Sequence, residues 1–288
     1  MGSGKERNEM LALIESTLRI SAPLVFAAMG GLLSERSGVI QIGLEGLMIV
    51  GGLIAAVVAL ETHSPGVALA GAALGGAVFG SIYAWLAIRA RANQIVAGTG
   101  MNFLAMGLAP FVLKVLYGNT GTSPSLPIED RMQWQWGVAL ALIAVAALAW
   151  LLRRTPVGLW IRFAGEHPQA LQAAGVRPER VRHWAVVSGS ALAAMGGAVL
   201  AIGLASAYSR NMVAGRGFMA LTALIFGKWR AWPALGACLL FGFAEALQFR
   251  LGSVAIPAQF VQILPYAATL LVLAGFVGRA RAPSALGR

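Results

Sequence analysis

Apolar residues in this chain are gathered into long, nearly unbroken runs, and the polar residues collect in the gaps between them. A membrane-crossing helix needs about 20 mostly apolar residues. Nine runs qualify or nearly so: 12–33, 39–60, 66–88, 94–117, 136–152, 184–207, 212–227, 232–250 and 258–277. Their continuity predicts helices, whereas a transmembrane β-barrel would show short alternating segments. The expected fold is an all-α, polytopic transmembrane helical bundle of about nine spans, with eight or ten as neighbouring counts. The seventh run is short and carries Gly215 and Gly217 near its start. It is expected to be a broken or re-entrant piece, tolerated only where it is buried in protein or lines a cavity.

Composition agrees. Hydrophobic residues make up 58% of the 288 positions and charged residues 11%, with a mean hydropathy of +0.74. A soluble protein of this size could not cover its surface with so few charges, and a disordered one would be polar. One transmembrane domain over 1–288, with 153–183 as a cytoplasmic loop within it, is the simplest organisation. The net charge of +11 would suggest nucleic acid in a soluble protein. Here the basic residues sit in connectors: Arg36, Arg89 and Arg91, the segment 153–183, Lys228 and Arg230, and Arg279 and Arg281. All follow odd-numbered spans, which places those connectors in the cytoplasm and the N-terminus outside. Arg210 and Arg216, after the sixth span, are the exception. The start shows no cleavable signal pattern, and Gly2-Ser3-Gly4-Lys5 lacks the rest of a phosphate-binding loop. Cys238 stands alone, and His63, His167 and His183 are scattered at expected loop positions, so no disulfide framework or metal cluster is expected. No catalytic constellation is evident, so neither an enzymatic activity nor a bound cofactor nor a nucleic-acid partner is expected.

The connector 153–183 is the one long cytoplasmic segment. Pro168 suits a first helical turn and Gly175 a helix C-terminus, which predicts a short helix over 168–175 flanked by arginines. It is either a basic anchor with an incidental helix or a docking helix for a cytoplasmic partner.

Polar side chains inside spans are costly and mark cavities or partners. Gln41, Glu45, Met48 and Gly52 would share one helix face, as would Gln94, Gly98 and Asn102, with Asn93 adjacent. Glu245 and Gln248 form a third polar face, and Phe218 could stack on a ring. Gln41, Glu45, Gln94, Asn102, Phe218, Glu245 and Gln248 are therefore candidates for a substrate pathway. Each has a structural alternative: amides bridging helices, Glu45 accepting loop amides or pairing with Arg36, and Phe218 packing. Gly71, Gly75, Gly76 and Gly80 form small-residue pairs suited to close packing within the subunit or between subunits.

Three blocks carry a resemblance. Gly165-Glu166-His167-Pro168, with Ala170, Ala173, Ala174 and Gly175, resembles the cytoplasmic coupling segment of ABC importer permeases, with His167 where asparagine is usual. Ser34 to Gly46 (SERSGVIQIGLEG) and Gly215 to Trp229 (GRGF through IFGKW) resemble blocks of the nucleoside-type branch of the branched-chain amino acid, ribose and nucleoside permease superfamily. The resemblance implies a permease subunit of a bacterial ATP-driven importer for nucleosides or related purine compounds, in the cytoplasmic membrane. It implies a cytoplasmic ATPase that uses the ATP, a second and different permease completing the pore, and an extracytoplasmic substrate-binding lipoprotein. It also implies that the residues from Gly165 to Gly175 named above couple to the ATPase. The competing reading is an ion-coupled secondary transporter or facilitator without an ATPase, in which Glu45 and Glu245 would be the coupling carboxylates.

Overall fold

A computed structural model of the chain describes residues 2–251 and 282–287; the ninth expected span, 258–277, lies outside the described residues. Ten α-helices follow one another among the described residues. They are α1 (Gly2–Arg36), α2 (Leu44–Thr62), α3 (Pro65–Ala84), α4 (Gln94–Tyr117), α5 (Trp134–Arg154), α6 (Pro156–Glu166), α7 (Pro168–Ala173), α8 (Pro178–Ala198), α9 (Arg216–Phe226) and α10 (Ala231–Leu251). A π-helical turn, Trp85–Arg89, extends α3, and another, Val199–Ala205, extends α8. Seven helical stretches among the described residues are long and apolar enough to cross a membrane. They match expected spans one to six and eight, so the chain is an all-helical multi-pass membrane protein.

Local chemistry sets where the helices start. Proline at the first helical position opens α3, α6, α7 and α8, where its missing N–H costs nothing and its fixed φ is already helical. The Asn93 side chain accepts from the amides of Ile95 and Val96 and starts α4 where the hydropathy pattern placed it. Pro178 starts α8 six residues before the expected 184, which puts His183 inside a helix rather than in a loop.

The core is organised around α8, against which α1, α2 and α3 all pack. Their approach is set by residues without bulk. A methyl group at Gly30 would strike the carbonyl of Gly189, and one at Gly189 would strike that of Gly30. Gly197 lies equally close to Met48 of α2, and Gly76 and Gly80 of α3 lie against Ala194 and Ser190 of α8. Gly71 and Gly75 face Val58 and Ile54 of α2. The glycine stripe of α3 is thus used for packing within the subunit.

The two ends of the bundle differ in charge. Arg36, Arg91, Arg162, Arg182 and Arg230 gather with α6 and α7 at one end. At the other, the carboxylate of Asp130 meets His63 at 2.7 Å, and Thr122 pairs with Ser209 in an isolated antiparallel bridge. The short seventh run joins these ends. Ser209 is at the end opposite the arginine cluster, Trp229 bonds Glu35 near the basic end, and α9, an 11-residue half-helix, fills the interval with the irregular residues 206–215. The run is a broken crossing.

Candidate functional site

The chain stops being helical after Arg36 and resumes at Leu44. In between, residues 38–43 pass through the packed interior, with Val39 and Gln41 fully buried. Gln41 therefore precedes α2 and does not share a helix face with Glu45, Met48 and Gly52, which the even hydropathy of 39–60 had suggested. Non-helical backbone at this depth must find partners in protein, and here side chains supply them. The Gln94 Oε1 accepts from the Ile40 amide at 2.8 Å, and the Tyr83 hydroxyl donates to the Ile40 carbonyl. Asn102 accepts from the Gly46 amide at 2.8 Å and donates to the Ile42 carbonyl at 3.0 Å. Gln41 donates to the Ser190 hydroxyl of α8 at 3.1 Å. The shared face of Gln94, Gly98 and Asn102 is real, and it clasps the broken segment.

Two carboxylates of the same stretch hold α9. The Glu45 Oε1 accepts from the Gly215 amide and its Oε2 from the Gly217 amide, each at 2.8 Å. Those amides belong to the start of a helix, where N–H groups lack intrahelical partners and the dipole favours an anion. At the far end, the Trp229 indole donates to the Glu35 Oε2 at 2.6 Å, while Glu35 Oε1 accepts from the Gln41 amide at 3.4 Å. Gly215 sits at φ +84°, which an L side chain adopts only with strain.

A third unit docks on the basic end. The connector 153–183 holds two helices where one was expected: amphipathic α6 and, after His167, the short α7. The short helix ends close to its expected limit. Gly175 has φ +80°, and its amide and that of Val176 reach back to Gln172 and Leu171, a Schellman closure. Glu166, between the two helices, pairs with Arg36 at 3.5 Å. The Arg182 side chain donates to the carbonyls of Ser37 and Ala164. Residues 282–287 cross the same point: the Ala285 amide donates to the Gly165 carbonyl at 2.8 Å, the Ser284 hydroxyl to the Glu166 carbonyl, and the Gly287 amide to the Gly38 carbonyl at 3.0 Å. His167, Pro168, Ala170, Ala173 and Ala174 lie along α7, whose exposed face is free of other elements among the described residues.

Arg216 and Glu245 form an ion pair inside the bundle, with side chains 18% and 11% exposed. It borders a cavity of about 480 Å³ lined also by Ser16, Arg19, Leu204 and Met212. The Arg216 Nε and Glu245 Oε2 have no partner among the described residues. Phe218 is 48% exposed on α9, and Gln248 is half-buried one turn beyond Glu245.

The three blocks Ser34–Gly46, Gly165–Gly175 and Gly215–Trp229 thus meet in one hydrogen-bonded junction. Residues 13–273 match the family described as branched-chain amino acid transport system, permease component. The chain belongs to this family. It is 37% identical to the guanosine ABC transporter permease protein NupQ of Bacillus subtilis, over 96% of this chain and 95% of that one. It is 34% identical to the nucleoside ABC transporter permease protein NupC of Lactococcus lactis, over 97% and 96%. A second guanosine permease protein of the same Bacillus, NupP, is 24% identical over 92% and 82%.

Sequence reasoning missed Glu35, Tyr83, Ser190 and Trp229 as parts of the junction, and Arg216 as the partner of Glu245. Glu35 stands beside Arg36 at the end of a helix, where its neighbours in sequence do not reveal the partners that bury it. The available signal was that Ser34–Gly46 and Gly215–Trp229 each carry polar residues that a lone span would not tolerate.

Proposed function

We propose that this chain is one half of the pore of an ATP-driven nucleoside importer, completed by a second, different permease. The observation that carries the reading is similarity along nearly the whole chain to two nucleoside-type permeases at 37% and 34% identity. The weaker match to a second guanosine permease of the same organism supports a pore of two unlike chains. The basic end is assigned to the cytoplasm by its arginines. An ATPase docks there on α7, and a substrate-binding lipoprotein docks at the opposite end.

The mechanism is alternating access, in which each partner must favour one of two states. ATPase movement at α7 reaches the bundle through Glu166 and Arg36. From there the rigid Ser34–Gly46 segment carries it to both ends of α9 through Glu35 and Glu45. Substrate passes along the cavity beside Arg216 and Glu245. The unpartnered N–H and carboxylate oxygen there suit an uncharged solute rich in hydrogen-bonding groups, while Phe218 and Gln248, outside the lining of that cavity, are assigned to the route only by their places on α9 and α10. The buried faces of Gln41, Glu45, Gln94 and Asn102 keep that route's wall in shape. Both oxygens of Glu45 are engaged by backbone amides, which argues against a role as a proton carrier.

The deciding experiment is uptake of radiolabelled guanosine and adenosine by cells carrying the whole transporter. It is run with and without this chain and with an ATPase unable to hydrolyse ATP. Uptake should require both. Uptake that survives loss of ATPase and collapses with an uncoupler would overturn the proposal.

A further inference from the structure

We propose that the groove between α5, α6 and α8 at the basic end is a binding site for an anionic phospholipid, seated beside the closing turn of α7. The groove has a volume of about 770 Å³. Its walls are apolar side chains, among them Leu33, Leu151, Val157 and Ile161. Its rim carries Arg177 and Arg180, both exposed, and no acidic side chain among the described residues lines it. Trp160 and Trp184 border it at 40% and 67% exposure.

Three independent features give the occupant its chemistry. An apolar trough at the end of membrane-spanning helices is filled by acyl chain rather than water, because hydrocarbon at that depth has no better alternative. Indole rings with one wet and one apolar edge sit at headgroup level. Two arginines at that level recognise a phosphate diester and favour a lipid with net negative charge. Helix α6 supports the geometry. It buries Gly158, Ile161 and Ala164 against the bundle and leaves Val157, Trp160 and Phe163 exposed, the pattern of a helix lying in the interface plane. Arg153 and Arg154, exposed in the last turn of α5, add positive potential. The groove is also lined by Gly175 and Val176, so a lipid seated in it touches the turn that closes α7. The inference rests on the charge and shape of the groove and does not depend on the transported solute.

The test uses the full chain in nanodiscs of phosphatidylcholine doped with either dibrominated phosphatidylglycerol or dibrominated phosphatidylcholine. Tryptophan quenching is the readout. At equal mole fraction the anionic probe should quench several-fold more, and salt should weaken the excess. The excess should vanish in W160F/W184F and in R177Q/R180Q but persist in R177K/R180K. In R177Q/R180Q, which keeps every tryptophan, quenching by the neutral probe should stay unchanged, showing that the bundle is intact. Equal quenching by both probes overturns the proposal, as does an excess that survives R177Q/R180Q. An excess that disappears when the ATPase subunit is bound overturns it too, because the groove would then be that protein's seat.

Discussion

Asn102 offers the sharpest test of how the broken segment is held. Gly46 is the third residue of α2, so its amide has no intrahelical acceptor. The Asn102 Oδ1 supplies one, and the Asn102 Nδ2 serves the Ile42 carbonyl four residues earlier. Asn102→Leu keeps the branched heavy-atom shape of the side chain and removes both partners. Each buried backbone group left unpaired costs about 1–3 kcal/mol, so the substitution should destabilise the bundle by about 2–6 kcal/mol. Interhelical hydrogen bonds within membranes average nearer 0.6 kcal/mol, because the unfolded chain in lipid also finds partners. The larger scale applies here because the orphaned groups are backbone of a non-helical stretch that cannot re-pair within its own helix. The assay is unfolding in mixed detergent micelles by near-ultraviolet circular dichroism. Thr99→Val is the control, since Thr99 is half-buried on the same helix and its hydroxyl bonds to the Ile95 carbonyl one turn away, within its own helix. If the Asn102→Leu and Thr99→Val proteins unfold within about 0.5 kcal/mol of each other, the argument that side chains carry residues 40–46 is wrong.

Other consequences are open to measurement. Replacing Glu166 by Arg breaks the pair with Arg36, and replacing Gly175 by Leu strains the turn after α7. Both should leave ATP hydrolysis running while uptake falls several-fold, and wild-type uptake in both would remove α7 from the coupling route. Removing one member of the buried ion pair, as Arg216→Met or Glu245→Leu, should cost about 3–5 kcal/mol. The double replacement should recover much of that loss, which a double-mutant unfolding cycle would show. His63 is exposed, and its bond to the Asp130 carboxylate raises the imidazole above the ordinary 6.5. A raised value means the protonated pair favours the folded state. Its contribution is whole below pH 6.5 and is lost as pH rises through the folded value. Thermal unfolding followed across that range should lose this pH dependence in His63→Gln.

Much of the bundle could be read from hydropathy, because a span's length and apolarity are set by the bilayer and not by its neighbours. Span four was placed to the residue, helped by Asn93 at its start. What hydropathy could not show is where a span is broken. Residues 39–43 are as apolar as the helix they precede, and only the partners donated by Gln94, Tyr83 and Asn102 make their irregular path affordable. Those partners come from distant stretches, so no local window contains them. The polar residues were visible as candidates, but their direction was not. An amide aimed at a neighbouring backbone and one aimed at a cavity read alike in sequence. Arg216 shows the same limit. As a loop arginine it broke the charge rule for orientation, whereas inside the bundle and neutralised by Glu245 it has no bearing on that rule.

The central position of α8 also bears on how the chain is made. Helices α1, α2 and α3 pack against α8 through glycines that leave their backbones nearly touching. Yet roughly ninety residues separate the end of α3 from the start of α8. At a synthesis rate of about 5–20 residues per second, the first three helices wait roughly 5–20 s in the lipid before their common neighbour arrives. During that wait the groove cut by Gly76 and Gly80 is filled by acyl chains, and Gln41 has no hydroxyl of Ser190 to reach. The most polar part of the bundle is therefore inserted first and closed last. A nascent chain arrested before residue 178 should be recognised by membrane quality control as unfinished.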